Sequence, residues 1–223
     1  MKKIIVNILF AVLGLLAAAG ILIGILFGVV AIKTNNMNKD YAYLKEDLSY
    51  SQRVEVTGLN LVTQHVSCGY ATIEMLSEFY GTKVTEDDLD NKNDGRVSTS
   101  STDGFLNEIN DSIKHQNFIK KTYLSNDNYL KQIYRSLEKN NPVAIEWAAE
   151  YKGEWTLHFS IVSALDLVND EVVVYNPYGI VESLDVATFI NRTSFKAYKN
   201  MPIFLQFGFA FGAFHKNTLF YAL

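Results

Sequence analysis

Cysteine is nearly missing from this chain: Cys68 is the only one in 223 residues. No internal disulfide can form, so Cys68 is either a free thiol or half of an intermolecular bridge. No Cys/His cluster offers a zinc site, and no glycine-rich phosphate loop occurs, so neither metal nor cofactor is expected. Positive charge is in short supply. Lys and Arg total 20 against 24 Asp and Glu, a net charge of −4. Without Lys2 and Lys3 the remainder carries 18 basic and 24 acidic residues, or −6. No basic patch stands out, which argues against nucleic acid as a partner. From Ile4 to Ile32 there is no charge at all, and Asn7 is the one strongly polar side chain there.

That uncharged stretch contains the 25-residue apolar run Ile8–Ile32. As a helix it would reach roughly 37 Å, more than the ~30 Å hydrocarbon core of a bilayer. A cleaved signal has a shorter core ending at small residues. Ala17-Ala18-Ala19 imitates such an end, but apolar residues continue past it. Residues 1–33 are therefore expected to be a retained single-pass anchor. Lys2, Lys3 and the free amine weigh against Lys33 and Lys39, which favours an internal N-terminus and an extracytoplasmic domain by a narrow margin. Gly20, Gly24 and Gly28 form a small-xxx-small stripe suited to helix packing. Residues 34–53 are polar and read as a stalk. The domain proper is read as 54–207, followed by an aromatic-rich tail, 208–223. The tail is expected to pack on the core, with the membrane interface as its alternative.

Within the domain, helices come first. Apolar residues at Tyr70, Ile73, Leu76 and Phe79 have a helical period, and Gly81 suits the C-cap. Thr85 caps a short acidic helix. Ser101 or Thr102 opens a helix through Phe105, Ile109 and Ile113. Ser125 opens another through Tyr129, Leu130, Ile133 and Leu137, and Asn140-Asn141-Pro142 ends it. Strands follow at 143–147, 156–162 and 171–175, joined in part by the turn Val168-Asn169-Asp170. Ser183 is expected to cap a helix through Phe189, and Pro202–Phe207 to form a last strand. Helices first and an antiparallel sheet second make an α+β fold.

Cys68 falls at the first turn of its helix. Unpaired N–H groups and the helix dipole there favour an anion, so a lowered thiol pKa and a nucleophilic role are expected. The alternative is a small buried hydrophobe. A nucleophile needs a base, and the base an orienter. Of four histidines, His65 shares the Cys68 loop, His115 follows a polar helix and His215 lies in the tail. His158 interrupts an apolar strand, where a polar ring is costly without partners. Asn176, eighteen residues on at the end of the adjacent strand, could accept its ring N–H.

The series Gln64…Cys68-Gly69-x-Ala71, Asn141-Pro142-Val143, His158, then Val174-Tyr175-Asn176-Pro177-x-Gly179 resembles the peptidase C39-like group of the papain-like cysteine peptidases, over about residues 54–207. The resemblance implies Cys68 as nucleophile, His158 as base and later acid, Asn176 as orienter, and Gln64 in the oxyanion hole. Many family members carry Asp at the orienter position, and Gln64 stands closer to Cys68 than the family glutamine does. The implied activity is peptide-bond hydrolysis through an acyl-enzyme, on a peptide or protein substrate. The family trims leader peptides when fused to an export ATPase. No ATPase motif occurs here, so that role would need a separate export transporter. A thiol acyltransferase or amidase would use the same residues with a different acyl acceptor. A non-catalytic binding module would keep only the fold.

Overall fold

A computed structural model describes residues 2–35, 39–194 and 197–223. The first helix, α1 (Lys2–Asn35), contains the stretch Val12–Lys33, 22 residues long and apolar enough to cross a membrane. Most of its described side chains face outward; Val30, near its C-terminal end, is buried.

The residues read as a stalk are held against the domain. Residues 36–38 lie outside the described residues, but from Lys39 onward the chain packs down. Asp40 accepts hydrogen bonds from the backbone and side-chain amides of Asn126, each at 3.0 Å. Two short 3-10 turns, Ala42–Lys45 and Leu48–Tyr50, bury Leu44 and Tyr50, and Tyr41 is buried just ahead of them. Apolar burial at these three positions outweighs the polar composition between them.

The sheet is antiparallel throughout. Its strands are β1 (Val54–Glu55), β2 (Phe118–Thr122), β3 (Val143–Tyr151), β4 (Glu154–Asp166), β5 (Glu171–Asn176), β6 (Ile180–Leu184) and β7 (Thr218–Ala222). They run in the order β2-β7-β3-β4-β5-β6, with β1 paired to the far end of β4. One face carries α2 (Cys68–Phe79), α3 (Glu86–Lys92) and α4 (Thr102–Ser112), meeting the sheet at Ala144, Phe159, Ile161 and Phe220. The other carries α5 (Asn126–Glu138) and α6 (Val186–Thr193), meeting it at Ile145, Trp147, Val162 and Val174. The alternation of odd and even residues along β3 divides its side chains between these two cores.

Three expectations change. Ser183 does not cap a helix: it lies in β6, whose register with β5 leaves the cap to Asp185, which accepts from Thr188 N–H at 2.7 Å. Pro202–Phe207 is not a strand. It opens α7 (Ile203–Ala210), which buries Leu205 and Phe209, four residues apart, against Met201 and Ala148. A short run apolar on every side carries no period to separate helix from strand. The last strand is β7, from residues read as a tail, and it fills the slot between β2 and β3. Its partner β2 went unread because Phe118–Thr122 is mostly half-exposed and carries two lysines.

Candidate active site

Ser67 stands at the N-cap of α2 in extended backbone, and its Oγ accepts from Tyr70 N–H at 3.1 Å. This cap starts the helix at Cys68. Ahead of it, the loop is gathered by Glu86, a fully buried carboxyl at the start of α3. Glu86 accepts from the backbone N–H groups of His65 (3.1 Å), Val66 (3.0 Å) and Ser67 (3.0 Å). Gly69 packs directly on Thr99, where a Cβ would collide with its hydroxyl and Cβ. The second residue of this helix therefore has to be glycine.

Cys68 reaches the sheet through a gap. β5 pairs with β4 no further toward its start than Ile161↔Tyr175. Two residues before that limit, the backbone N–H of Phe159 is directed at the half-buried Cys68 thiol, as are those of Gly69 and Cys68 itself. The sulfur thus lies one peptide unit from His158. Burial pushes the thiol pKa up, with these N–H groups opposing the shift and Glu146 adding to it. The lowered pKa expected from the helix terminus is overturned: desolvation of the thiolate exceeds the stabilisation by the N–H donors.

His158 is 2% exposed. Its Nε2 lies 2.8 Å from Asn176 Oδ1. Asn176 also accepts from Tyr178 N–H (3.0 Å) and donates from Nδ2 to Glu182 Oε1 (2.7 Å). A carboxylate can only accept, so Glu182 fixes the amide with Oδ1 toward the ring. That in turn places the imidazole proton on Nε2 and leaves the lone pair on Nδ1. Arg192 donates to the other Glu182 oxygen at 2.6 Å and stacks over Trp147, 4.9 Å from its ring centre. Tyr178 stacks on the imidazole at 4.0 Å and on Tyr151 at 4.5 Å. Burial pushes the His158 pKa down to about 4, only partly offset by Asn176. Near neutrality the pair rests as thiol and neutral imidazole.

Gln64 sits beside the same turn. Its backbone N–H donates to Pro177 O at 2.8 Å. Gly179, at φ +84°, packs where a Cβ would lie 2.8 Å from Thr63 Oγ1, so this crossing of two loops requires glycine. Gln64 Oε1 is buried with no protein partner. His65 is committed elsewhere: exposed, it contacts Asp87 at 2.9 Å and Glu86 at 3.2 Å, and these carboxyls hold its pKa up. His115 and His215 are exposed. A groove of about 600 Å³ opens beside Tyr178, walled by Tyr151, Trp155 and Thr156 and rimmed by Asn200–Pro202. Among the described residues no group of three or more His, Cys, Asp or Glu side chains could hold a metal.

Sequence reading missed Glu86, Tyr178, Glu182 and Arg192. The capping signature Thr85–Asp88 marked the helix that carries Glu86. Glu182 and Arg192 follow only from the β5–β6 register.

A helix-borne thiol against an antiparallel sheet, beside a buried imidazole–amide pair, is an architecture of the cysteine peptidase type. The chain belongs to the Peptidase_C39 like family, whose sequence pattern matches residues 50–203. Among solved structures it is similar to the peptidase domain of Streptococcus ComA, described as a bi-functional ABC transporter involved in quorum sensing. The identity is 14%, the match covers 74% of this chain and 98% of that one, and the TM-score is 0.47. No curated protein matched.

Proposed function

We propose that this protein is a membrane-anchored cysteine peptidase that hydrolyses peptide bonds with Cys68, His158 and Asn176. The observation that carries the reading is the Nε2–Asn176 bond of 2.8 Å on a buried ring next to the thiol-bearing gap. In the first step His158 Nδ1 takes the thiol proton as sulfur attacks the substrate carbonyl carbon. Because the resting pair is neutral, the ion pair forms only as the new C–S bond develops. The oxyanion is stabilised by the Cys68 N–H, with Gln64 as the second donor. The imidazolium is supported at Nε2–H by Asn176, itself polarised by Glu182. It then returns the proton to the leaving amine as the C–N bond breaks. Water, activated by His158, hydrolyses the thioester and restores the thiol.

The anchor in this reading is α1, with the domain on the extracytoplasmic side, as the lysines at either end weakly favour. The substrate is a peptide or protein. If it is an exported leader, a separate transporter supplies the export.

The test is incubation of the full chain in detergent with a degenerate peptide library in H2(18)O, read by mass spectrometry. New C-termini carrying the heavy oxygen are expected, and both Cys68→Ala and His158→Ala should abolish them. Products capped by an added amine would mean an acyltransferase. Equal products from wild type and Cys68→Ala would overturn the assignment.

A further inference from the structure

The helix α7 is anomalous for a water-facing surface. Met201–Phe214 contains no charged residue, while Lys199 and Lys216 stand at its two ends. Leu205 and Phe209 face the domain, but Ile203, Phe204 and Phe211 are large, apolar and exposed, Phe204 by 67%. Scattered singly such residues would mean little; here they cluster on one short element.

Its neighbour decides what covers it. Phe207 packs edge-on against Phe27 of α1, ring centres 5.5 Å apart. Lys33 Nζ donates to the carbonyl of Ala210, at the C-terminal end of α7, at 2.5 Å. Lys33 closes the apolar stretch Val12–Lys33. Phe27 lies six residues inside that end, about 9 Å along the helix axis. An element touching both is level with the headgroups and the first part of the acyl chains.

The exposed apolar face of α7 is thus continuous with the lipid-facing surface of α1. Lysines at each end suit a segment lying in the interface. The candidate groove begins where α7 begins. Asn200, Met201 and Pro202 rim it and immediately precede Ile203. Its opposite wall, Tyr151 and Trp155, has the amphipathic rings that settle at headgroup depth.

We propose that α7 is a second membrane contact, seated in the lipid interface beside the α1 span, and that it opens the groove along the bilayer surface. The substrate class is then a polypeptide segment held at the membrane, such as the juxtamembrane part of an anchored chain. This rests on α1 being a span and on the groove serving Cys68.

The experiment uses the full chain in phosphatidylcholine–phosphatidylglycerol vesicles. In a Cys68→Ser background, single cysteines replace Leu16, Phe204 or Val168 and carry an environment-sensitive fluorophore. Val168 lies in the β4–β5 turn, the end of β4 remote from the groove. Leu16 should be quenched by deep nitroxide lipid. Phe204 should be quenched by shallow nitroxide lipid and protected from iodide about fivefold relative to Val168. Iodide access to Leu16 would remove the anchor reading itself. Lipid quenching at Leu16 with iodide access at Phe204 equal to that at Val168 would overturn the α7 contact alone.

A second arm keeps Cys68 and compares a headgroup-tethered iodoacetyl lipid with soluble iodoacetamide. The tethered-to-soluble rate ratio should be about tenfold higher at Cys68 than at Val168→Cys, and should fall severalfold in Phe204→Glu/Phe211→Glu. A ratio at Cys68 no higher than at Val168→Cys would overturn the membrane-facing groove even if α7 touches lipid.

Discussion

The two halves of the site are built by different means. The cysteine-bearing half, residues 64–99, is held by backbone donors and close packing: the Ser67 cap, three N–H groups on Glu86, and Gly69 against Thr99. The histidine-bearing half, residues 147–192, is held by side chains. His158 leans on Asn176, Asn176 on Glu182, and Glu182 on Arg192, which stacks over Trp147. In the first half, position comes from where the chain runs, and substitutions act through space and unpaired N–H groups. In the second, position comes from donor and acceptor identity, so isosteric changes of chemistry should be felt. The two also approach from opposite faces of the sheet, since His158 pairs with Trp147 while Cys68 rides on the α2 side. What links them is the Phe159 N–H at the Cys68 thiol, where β4 has no β5 partner.

The largest effect should come from breaking the cysteine-bearing half at Glu86. Glu86→Ala strands the N–H groups of Val66 and Ser67 in a half-buried loop; His65 is exposed enough to be rehydrated. At roughly 1–3 kcal/mol for each unsatisfied donor, the loss should be about 2–6 kcal/mol. Glu86→Gln can place its amide oxygen where Oε2 accepts from Val66 and Ser67 and turn its NH2 toward the rehydratable His65, so it should lose far less than the alanine variant. Urea unfolding of the full chain in detergent measures both. A Glu86→Gln variant as unstable as Glu86→Ala would mean that acceptance from Val66 and Ser67 is not what holds the loop.

A second comparison sets two buried titratable groups against each other. His158 is depressed from 6.5 to about 4, and Glu146 is raised by burial from 4.5 to about 7. Between pH 4 and 6.5 the unfolded chain binds the extra His158 proton. That group's contribution is complete above 6.5 and is lost as pH falls through 4. Between pH 4.5 and 7 the folded chain binds the extra Glu146 proton. That contribution is complete below 4.5 and is lost as pH rises through 7. Each is on the order of 3 kcal/mol, with opposite sign over pH 4.5–6.5. Wild-type stability should therefore change little across that window. Glu146→Gln should lose stability on acidification, and His158→Gln should gain it. Parallel pH slopes in all three would show that neither shift exists.

What the sequence made legible follows the same division. Cys68, Ser67 and Gly69 could be read because caps and helix periods are local. His158 was legible as a polar interruption of an apolar strand, and Asn176 as the end of the next one. The gap that brings them near Cys68 was not, since it depends on where β4 and β5 stop pairing. Tertiary register also hid Glu182 and Arg192. β7 was hidden for another reason: it pairs with β2 and β3, which lie far earlier in the chain, and its aromatic run looked detached. The thiol pKa was misread because the helix terminus is a local signal, whereas burial belongs to the whole fold.

The smallest effect, and the sharpest for the histidine-bearing half, concerns Asn176. Glu182 holds the Asn176 amide so that Oδ1 faces His158. Glu182→Ala releases that orientation and should cost about tenfold in kcat, or ~1.4 kcal/mol. Asn176→Asp alone places a second carboxylate where Nδ2 now donates to Glu182 at 2.7 Å, and like charges at that range repel. The single Asp variant should thus be slower than wild type. In Asn176→Asp/Glu182→Ala the repulsion is gone, and an Asp needs no partner to present an oxygen to Nε2. The double variant should recover to within about threefold of wild type, a coupling that additive single effects would not give. The readout is kcat on a peptide from the library, with KM followed separately, since Arg192 also lies over Trp155 of the groove wall. If the double variant is slower than both singles, Glu182 orients nothing and serves only as the partner of Arg192.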